Sequence, residues 1–500
     1  MRTSRMGRFG RRDLLRASVA GSLVLRGASV KQAVGADPVS IGGHKQLFLD
    51  DAFIESAQNV SLRMNRPRKT GERSIVSEHP WEEHRVGAYN TVMEDEGIYK
   101  MWYFTMSRDA TFLCYATSED GLVWRKPNLA LVDYRGSRQN NIVMLPRRPQ
   151  PSPIFGEYQT SSTMVFVDPE ASRQERYKCI IQYREDERVQ PLGEPRLLVS
   201  ADGLRWRYLA DHAVIEDRRF TDTQMIAFWD RRIRKYVAYG RNWDPEWPKG
   251  VRKVSRSETS DLTRWPKPTL VFGRDEHDPD NCHFYNPAAM QYPYAANAYL
   301  MFPSVYYPHA GDGPLDIQLA TSRDGTRWQR PERHPFLELG TSGSWDSRSM
   351  YVGAGLVRNS DEIWLYYTGF DFNHGSYDQK VDRKKGVISR AVLRLDGFVS
   401  ADAEYTGGSL TTIPLTFEGR RLELNVNSGA GGECQVEVLA GDNSPFRGFR
   451  RQDCDVIRSN AVAHTVTWIG SSDVSALQGK TVRLRFHMRD ARLYAFQFRG

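Results

Sequence analysis

The chain has 500 residues, 40% hydrophobic and 11% aromatic, with a formal net charge of +8 at pH 7. That length exceeds one compact core of ordinary size and makes two domains the expectation. Seven of the eight net charges fall in the first 36 residues, where Arg2, Arg5, Arg8, Arg11, Arg12, Arg16, Arg26 and Lys31 stand against Asp13; the near-neutral remainder lacks the basic footprint a nucleic-acid partner requires.

The N-terminus reads as an address. Arg11-Arg12-Asp13-Leu14-Leu15-Arg16 precedes an apolar run over 17–25 that ends in small residues near 34–36. This is the layout of a twin-arginine signal peptide over 1–36, with a disordered basic tail as the plain alternative. It places the mature chain in the periplasm or outside the cell. The run is too short to cross a bilayer, and no membrane span is expected in the mature chain. Cys114, Cys179, Cys282, Cys434 and Cys454 include no CxxC pair, so no structural zinc site is expected. Whether Cys434 and Cys454 pair is not decided by their spacing.

Along the rest of the chain, one short motif returns. Ser118-Glu119-Asp120-Gly121-Leu122-Val123-Trp124 recurs as Ser200-Ala201-Asp202-Gly203-Leu204-Arg205-Trp206 and as Ser322-Arg323-Asp324-Gly325-Thr326-Arg327-Trp328. Degenerate copies stand at 259–265 and 395–398. Asp-Gly makes a tight turn, because glycine takes positive φ and aspartate bonds its own backbone. A tryptophan three residues on is placed to pack between sheets. Repetition at blade-length intervals predicts a β-propeller. Strands set around these turns give five blades, opening near Ala88, Ser161, Asp222, Asn286 and Tyr351. The segment 47–55 is expected to supply a strand that closes the ring.

Beyond residue 403 the texture changes to short alternating strands separated by Gly, Asn and Asp. The fold expected is all-β: a five-bladed β-propeller over 37–403, followed by a β-sandwich over 407–500. Support of the propeller is the first reading for the sandwich, carbohydrate binding the second.

In a propeller, inner strands and the loops after second strands line one mouth. That rule brings Asn90, Asp222, Asn286 and the 346–351 stretch toward Arg184, Arg241, Asp244, Tyr306, His309 and His374. Amides, carboxylates and stacking rings suit a ligand rich in hydroxyls.

With its SxDGxxW turns, YNTVMEDEGIYKMWYF and LDIQLATSRDGTRWQRP, the chain resembles the five-bladed glycoside hydrolases of families 32, 43, 62, 68 and 130 over about residues 45–403. The resemblance implies a secreted glycosidase whose three acids open the inner strands of blades one to three. Here Asp222 matches, while Asn90 and Ser162 stand where the other two acids are expected. Hydrolysis needs a second carboxylate, about 5–5.5 Å away for retention or about 6.5–9.5 Å for inversion. Asp346, in Gly343-Ser344-Trp345-Asp346-Ser347-Arg348, and Glu83, in Glu82-Glu83-His84-Arg85, are the candidates. Arg85, Asn90, Arg184, Arg241, Asp244, His283, Asn286, Tyr306, His309, Arg348 and His374 are expected to bind substrate.

No metal is assigned and no cofactor is required; a calcium ion in the channel is a reading the resemblance leaves open. The function expected is an exported glycoside hydrolase cleaving a poly- or oligosaccharide by carboxylate acid/base catalysis. A glycoside phosphorylase and a non-catalytic carbohydrate-binding propeller remain alternatives. The sugar, the linkage and the oligomeric state are not readable.

Overall fold

A computed structural model of the protein describes residues 37–107, 110–144, 158–183, 192–210, 212–244, 250–309, 312–375 and 386–500. Its described residues form β-strands and short 3-10 turns, with no α-helix. Residues 1–36, and with them the expected signal, lie outside the described residues.

Three four-stranded antiparallel sheets follow one another, each a simple meander. The first holds Arg85–Asp95, Ile98–Met106, Thr111–Ser118 and Ile142–Met144. The second holds Tyr158–Val167, Tyr177–Tyr183, Glu194–Ser200 and Arg207–Tyr208. The third holds Ile226–Asp230, Lys235–Asp244, Val251–Thr259 and Thr269–Phe272.

The fourth meander is broken along its length. His283–Asn286, Ser304–Tyr306 and Leu315–Ile317 pair with one another, and Ala289–Gln291, Tyr299–Met301 and Ala320–Ser322 make a separate sheet. Pro287 and Pro303 sit at the breaks, where proline has no N–H to give a ladder. The fifth group, Ser349–Val352, Glu362–Phe370 and Val387–Arg394, takes Arg68–Lys69 as its outer strand.

The Asp-Gly turns tie neighbouring sheets together. In each, the Ser hydroxyl accepts the Gly N–H at 2.9 Å and the Asp Oδ1 accepts the next N–H at 2.8 Å. Gly121, Gly203 and Gly325 take φ of 72, 75 and 75°. The carbonyl of each then accepts a bond from an adjacent second strand: Tyr366 to Gly121 at 2.5 Å, Trp102 to Gly203 at 2.8 Å, Tyr239 to Gly325 at 2.6 Å. Tyr236 to Asp168 (2.9 Å) and Tyr292 to Asp396 (2.8 Å) supply the two remaining contacts. The contacts thus run from first to second, second to third, third to fourth, fourth to fifth, and fifth back to first. Near the middle, Thr91 bridges Ala354, and the Gln224 Nε2 donates to the carbonyls of Asn90 and Thr163.

The C-terminal strands build two larger sheets, and a parallel pair of Leu415–Phe417 with Val39–Gly42, around one apolar core that includes Phe48, Leu424, Trp468, Phe486 and Phe496. Both ends of the chain contribute. Gln46–Leu47 pairs with Ala491–Arg499, Ile54–Gln58 with Gly408–Thr412, and Val60–Met64 with Val399–Ala403. The expectation that 47–55 closes the ring is therefore corrected: Arg68–Lys69 is the N-terminal strand that joins the fifth group. Phe48 and Phe53 explain the choice, since both are buried against Phe496. Cys434 and Cys454 are both free thiols in this core.

Candidate functional site

The loop before the third sheet turns sharply at Asp222, whose φ is +62°. Aspartate tolerates this left-handed backbone better than most side chains. The Asp222 N–H donates to Gln182 Oε1 at 3.0 Å, which fixes the turn against the second sheet. The Asp222 carboxylate accepts from Arg241 Nη1 at 2.5 Å. Arg241 comes from the second strand of the third sheet and is itself buried.

Aromatic rings surround this ion pair. Tyr239, Arg241 and Trp243 alternate along one strand and so share a face. Arg252 pairs opposite Trp243 on the next strand. The Arg241 guanidinium lies 4.1 Å from the Tyr285 ring centre, and Arg252 lies 5.0 Å from the same ring. Arg252 also stacks on Trp243 at 4.6 Å and Tyr306 at 5.8 Å. Tyr351 packs edge-on to both Tyr89 and Tyr285. The fifth group brings His374, whose Nδ1 lies 2.8 Å from the Tyr351 hydroxyl and whose ring abuts Tyr285 and Tyr306.

The electrostatics follow from burial among cations. Arg252 Nη1 is 3.1 Å from His283 Nδ1. A guanidinium only donates, so that nitrogen accepts and His283 is neutral with its proton on Nε2. Burial first, then Arg252 and Arg241, push the His283 pKa down to about 4. Burial and the same two arginines hold His374 well below the ordinary imidazole value. Burial raises Tyr89, with Tyr285 adding to it.

Five of the sequence-chosen residues meet here: Asp222, Arg241, His283, Tyr306 and His374. Asn286 lies beneath them, its Nδ2 donating to the Val352 carbonyl at 3.2 Å and its Oδ1 lying 3.4 Å from Thr223 Oγ1. Asn90 is fully buried and 3.5 Å from Thr368 Oγ1. Ser162 donates to the Gln182 oxygen that also holds Asp222. The two positions where the resemblance implies acids are thus neutral groups in the floor.

The other candidates are engaged elsewhere. Asp346 is buried and held by Lys69 Nζ at 2.7 Å, with Ser344 Oγ donating at 2.8 Å. Glu83 lies 3.4 Å from Arg135 and is partly exposed. Its neighbour Glu82 is fully buried and accepts from Tyr103 at 2.6 Å and Lys126 at 2.9 Å. Arg85 is buried at the start of the first sheet, 3.6 Å from Met106 Sδ. Asp244 is exposed and paired with Lys253 at 2.6 Å, which lowers its pKa. His309 and Arg348 are exposed. Arg184 lies outside the described residues.

Sequence reasoning did not single out Arg252 or Tyr285 as site residues, and it brought Trp243 and Tyr351 to the mouth only as members of the stretches 241–244 and 346–351. The alternation Tyr239, Arg241, Trp243 was available, and reading 235–259 as one hairpin would have set Arg252 beside Trp243. Asp312 was also missed: it raises Tyr306 electrostatically, after burial, and its Oδ1 accepts the Gly375 N–H at 2.6 Å. Among the described residues, no group of three or more His, Cys, Asp and Glu side chains is placed to hold a metal. The cluster offers two arginines and two neutral histidines around one carboxylate, which does not fit a calcium ion.

No family model matches the chain, and no curated protein sequence matches it. Solved structures do resemble it. An N-acetylgalactosamine deacetylase from F. plautii, in complex with blood group B trisaccharide, is 15% identical at a TM-score of 0.47, covering 67% of this chain and 96% of its own. A glycosyl hydrolase from Bacteroides ovatus is 14% identical at 0.45, covering 70% and 96%. A thermostable family-43 glycoside hydrolase is 12% identical at 0.42, covering 67% and 95%.

Proposed function

We propose that the protein is an exported glycoside hydrolase with its active site around Asp222. The observation that carries this reading is the convergence itself. One carboxylate, two arginines, two neutral histidines and a wall of tyrosines come from the first, third, fourth and fifth sheets to one place. Rings stack on sugar faces, and the polar groups bond hydroxyls. In this reading the sheets are the blades of a five-bladed propeller, and the two C-terminal sheets are a supporting sandwich completed by residues 39–64.

Ion pairing with Arg241 gives Asp222 the role of an anion: the base that takes a proton from water, or the group that orients the sugar. Water attacks the anomeric carbon, the glycosidic C–O bond breaks, and a carboxylic acid protonates the leaving oxygen. Asp346 is a poor donor while Lys69 holds it, so Glu83 and Asp312 are the acids to consider. The neutral Asn90 and Ser162 favour a second reading, a propeller that binds carbohydrate without cleaving it. Purified protein incubated with a panel of plant and algal oligosaccharides separates the two. New reducing ends support the hydrolase; binding without any cleavage supports the second reading.

Export by the twin-arginine route belongs to the same proposal. Replacing Arg11 and Arg12 by lysine should retain the protein in the cytoplasm, and secretion at the wild-type level would contradict that route.

A further inference from the structure

The charges of the site do not balance. Arg241 is answered by Asp222, but Arg252 is not answered: among the described residues no carboxylate lies within ion-pair distance of it. Its Nη1 donates to His283, and its Nε is buried without a hydrogen-bond partner. Two guanidiniums therefore lie against one ring, Tyr285, and only the first of them is paired with a carboxylate. Arg274 adds positive potential at His283. The nearby Asp244 carboxylate is taken by Lys253.

We propose that Arg252, with the Nε2–H of His283 beside it, binds an anionic oxygen of the ligand. This deepens the carbohydrate reading above and rests on it. Packing alone is a weaker account. Stacking on Trp243 and Tyr306 would be served by any flat group, whereas a second cation beside Arg241 is repelled by it and attracted by Asp222 only from beyond ion-pair distance, an attraction that burial and the Arg241 charge outweigh. Burial and the Arg241 charge lower the Arg252 pKa, which is the cost that a bound oxyanion offsets. The planar fork of arginine suits two oxygens of one carboxylate or phosphate. Two sources share this chemistry: the carboxylate of an acidic sugar, and inorganic phosphate used to split a glycoside.

Titration calorimetry at low salt with D-glucuronate, D-galacturonate, the matching neutral hexoses and inorganic phosphate tests the assignment. A uronate is expected to bind about tenfold or more tighter than its neutral hexose, a charge-assisted contact being worth at least that factor. The preference should weaken steeply with added salt, as a charge contact requires. Arg252→Met should erase it, and Arg252→Lys should restore part of it. Phosphate binding without uronate preference assigns the same guanidinium to phosphate, to be matched by release of sugar 1-phosphate. Equal affinity for acid and neutral sugars, with no phosphate binding, overturns the proposal; this arm uses wild-type protein and does not depend on a variant folding. Cleavage of neutral oligosaccharides with neither acid preference nor phosphate binding would sink this inference alone. Uronate binding without cleavage of any glycoside would sink the hydrolase reading alone.

Discussion

Asp222 and Arg241 form an ion pair in which the arginine side chain is fully buried and the aspartate is one-third exposed, at 0% and 33%. The cation is sealed in the fold, and the anion is open to solvent. The aspartate also holds a left-handed backbone. Asp222→Gly should therefore lose the ion pair but keep the turn, whereas Asp222→Ala should be less stable than the glycine variant by about 1 kcal/mol. Thermal or urea unfolding of the two variants checks this; equal stability would show that the turn carries no strain.

The Asp-Gly turns act through the neighbouring sheet. Tyr366→Phe and Tyr239→Phe should each cost about 1–2 kcal/mol, because a buried glycine carbonyl loses its donor. Trp124 and Trp328 pack edge-on to the same two tyrosines but remain partly exposed. Truncating Trp124 to alanine should cost about 2 kcal/mol, below the usual figure for a fully buried ring. Substrate preference should not move in any of these variants, and a stable variant with altered preference would contradict the packing role.

Glu82 and Glu83 are adjacent and should respond in opposite ways. Glu82 is a buried anion paired with Lys126. Glu82→Gln should destabilise by about 2 kcal/mol, since it leaves the buried Lys126 with only the exposed Glu78 as charge partner, and the folded fraction should keep its activity. Glu83→Gln should leave stability nearly unchanged and lower activity if Glu83 is the proton donor. Melting curves read beside specific activity separate the two.

His283 ties stability to pH. Its native pKa is about 4, against an ordinary imidazole value of about 6.5. Between those values the unfolded chain binds a proton that the native site refuses. The contribution is whole above pH 6.5 and is lost as pH falls through 4. Asp316, whose carboxyl burial pushes up to about 7, works in the opposite sense across that whole window. The difference between wild type and His283→Gln isolates the histidine: the wild type should lose its advantage on acidification. A difference that stays constant from pH 7 to pH 4 would refute the neutral assignment.

Much of this was legible in the sequence because it is local. Asp-Gly before tryptophan states its own turn, and alternation in KYVAYGRNWD states its own face. Asp222, Arg241, His283, Tyr306 and His374 were found from where they stand relative to such strands. Arg252 was not, because its place depends on the register between two strands across residues 245–249. Nor was the pairing of Ile54–Gln58 with Gly408–Thr412, since nothing periodic links segments some 350 residues apart. Asp346 looked functional beside Trp345 and Arg348, but Lys69, far earlier in the chain, takes its carboxylate. Long-range partners decide which acids are free, and a linear pattern does not name them.

The most direct measurement is turnover by Asp222→Asn on an oligosaccharide that the wild type cleaves, with folding checked by near-ultraviolet circular dichroism. The substitution keeps shape and backbone tolerance and removes the anion that Arg241 holds. Turnover should fall by about 10²-fold or more, the scale expected for loss of an acid–base group. Wild-type turnover by a folded Asp222→Asn protein would contradict the assignment of this site as the place of cleavage.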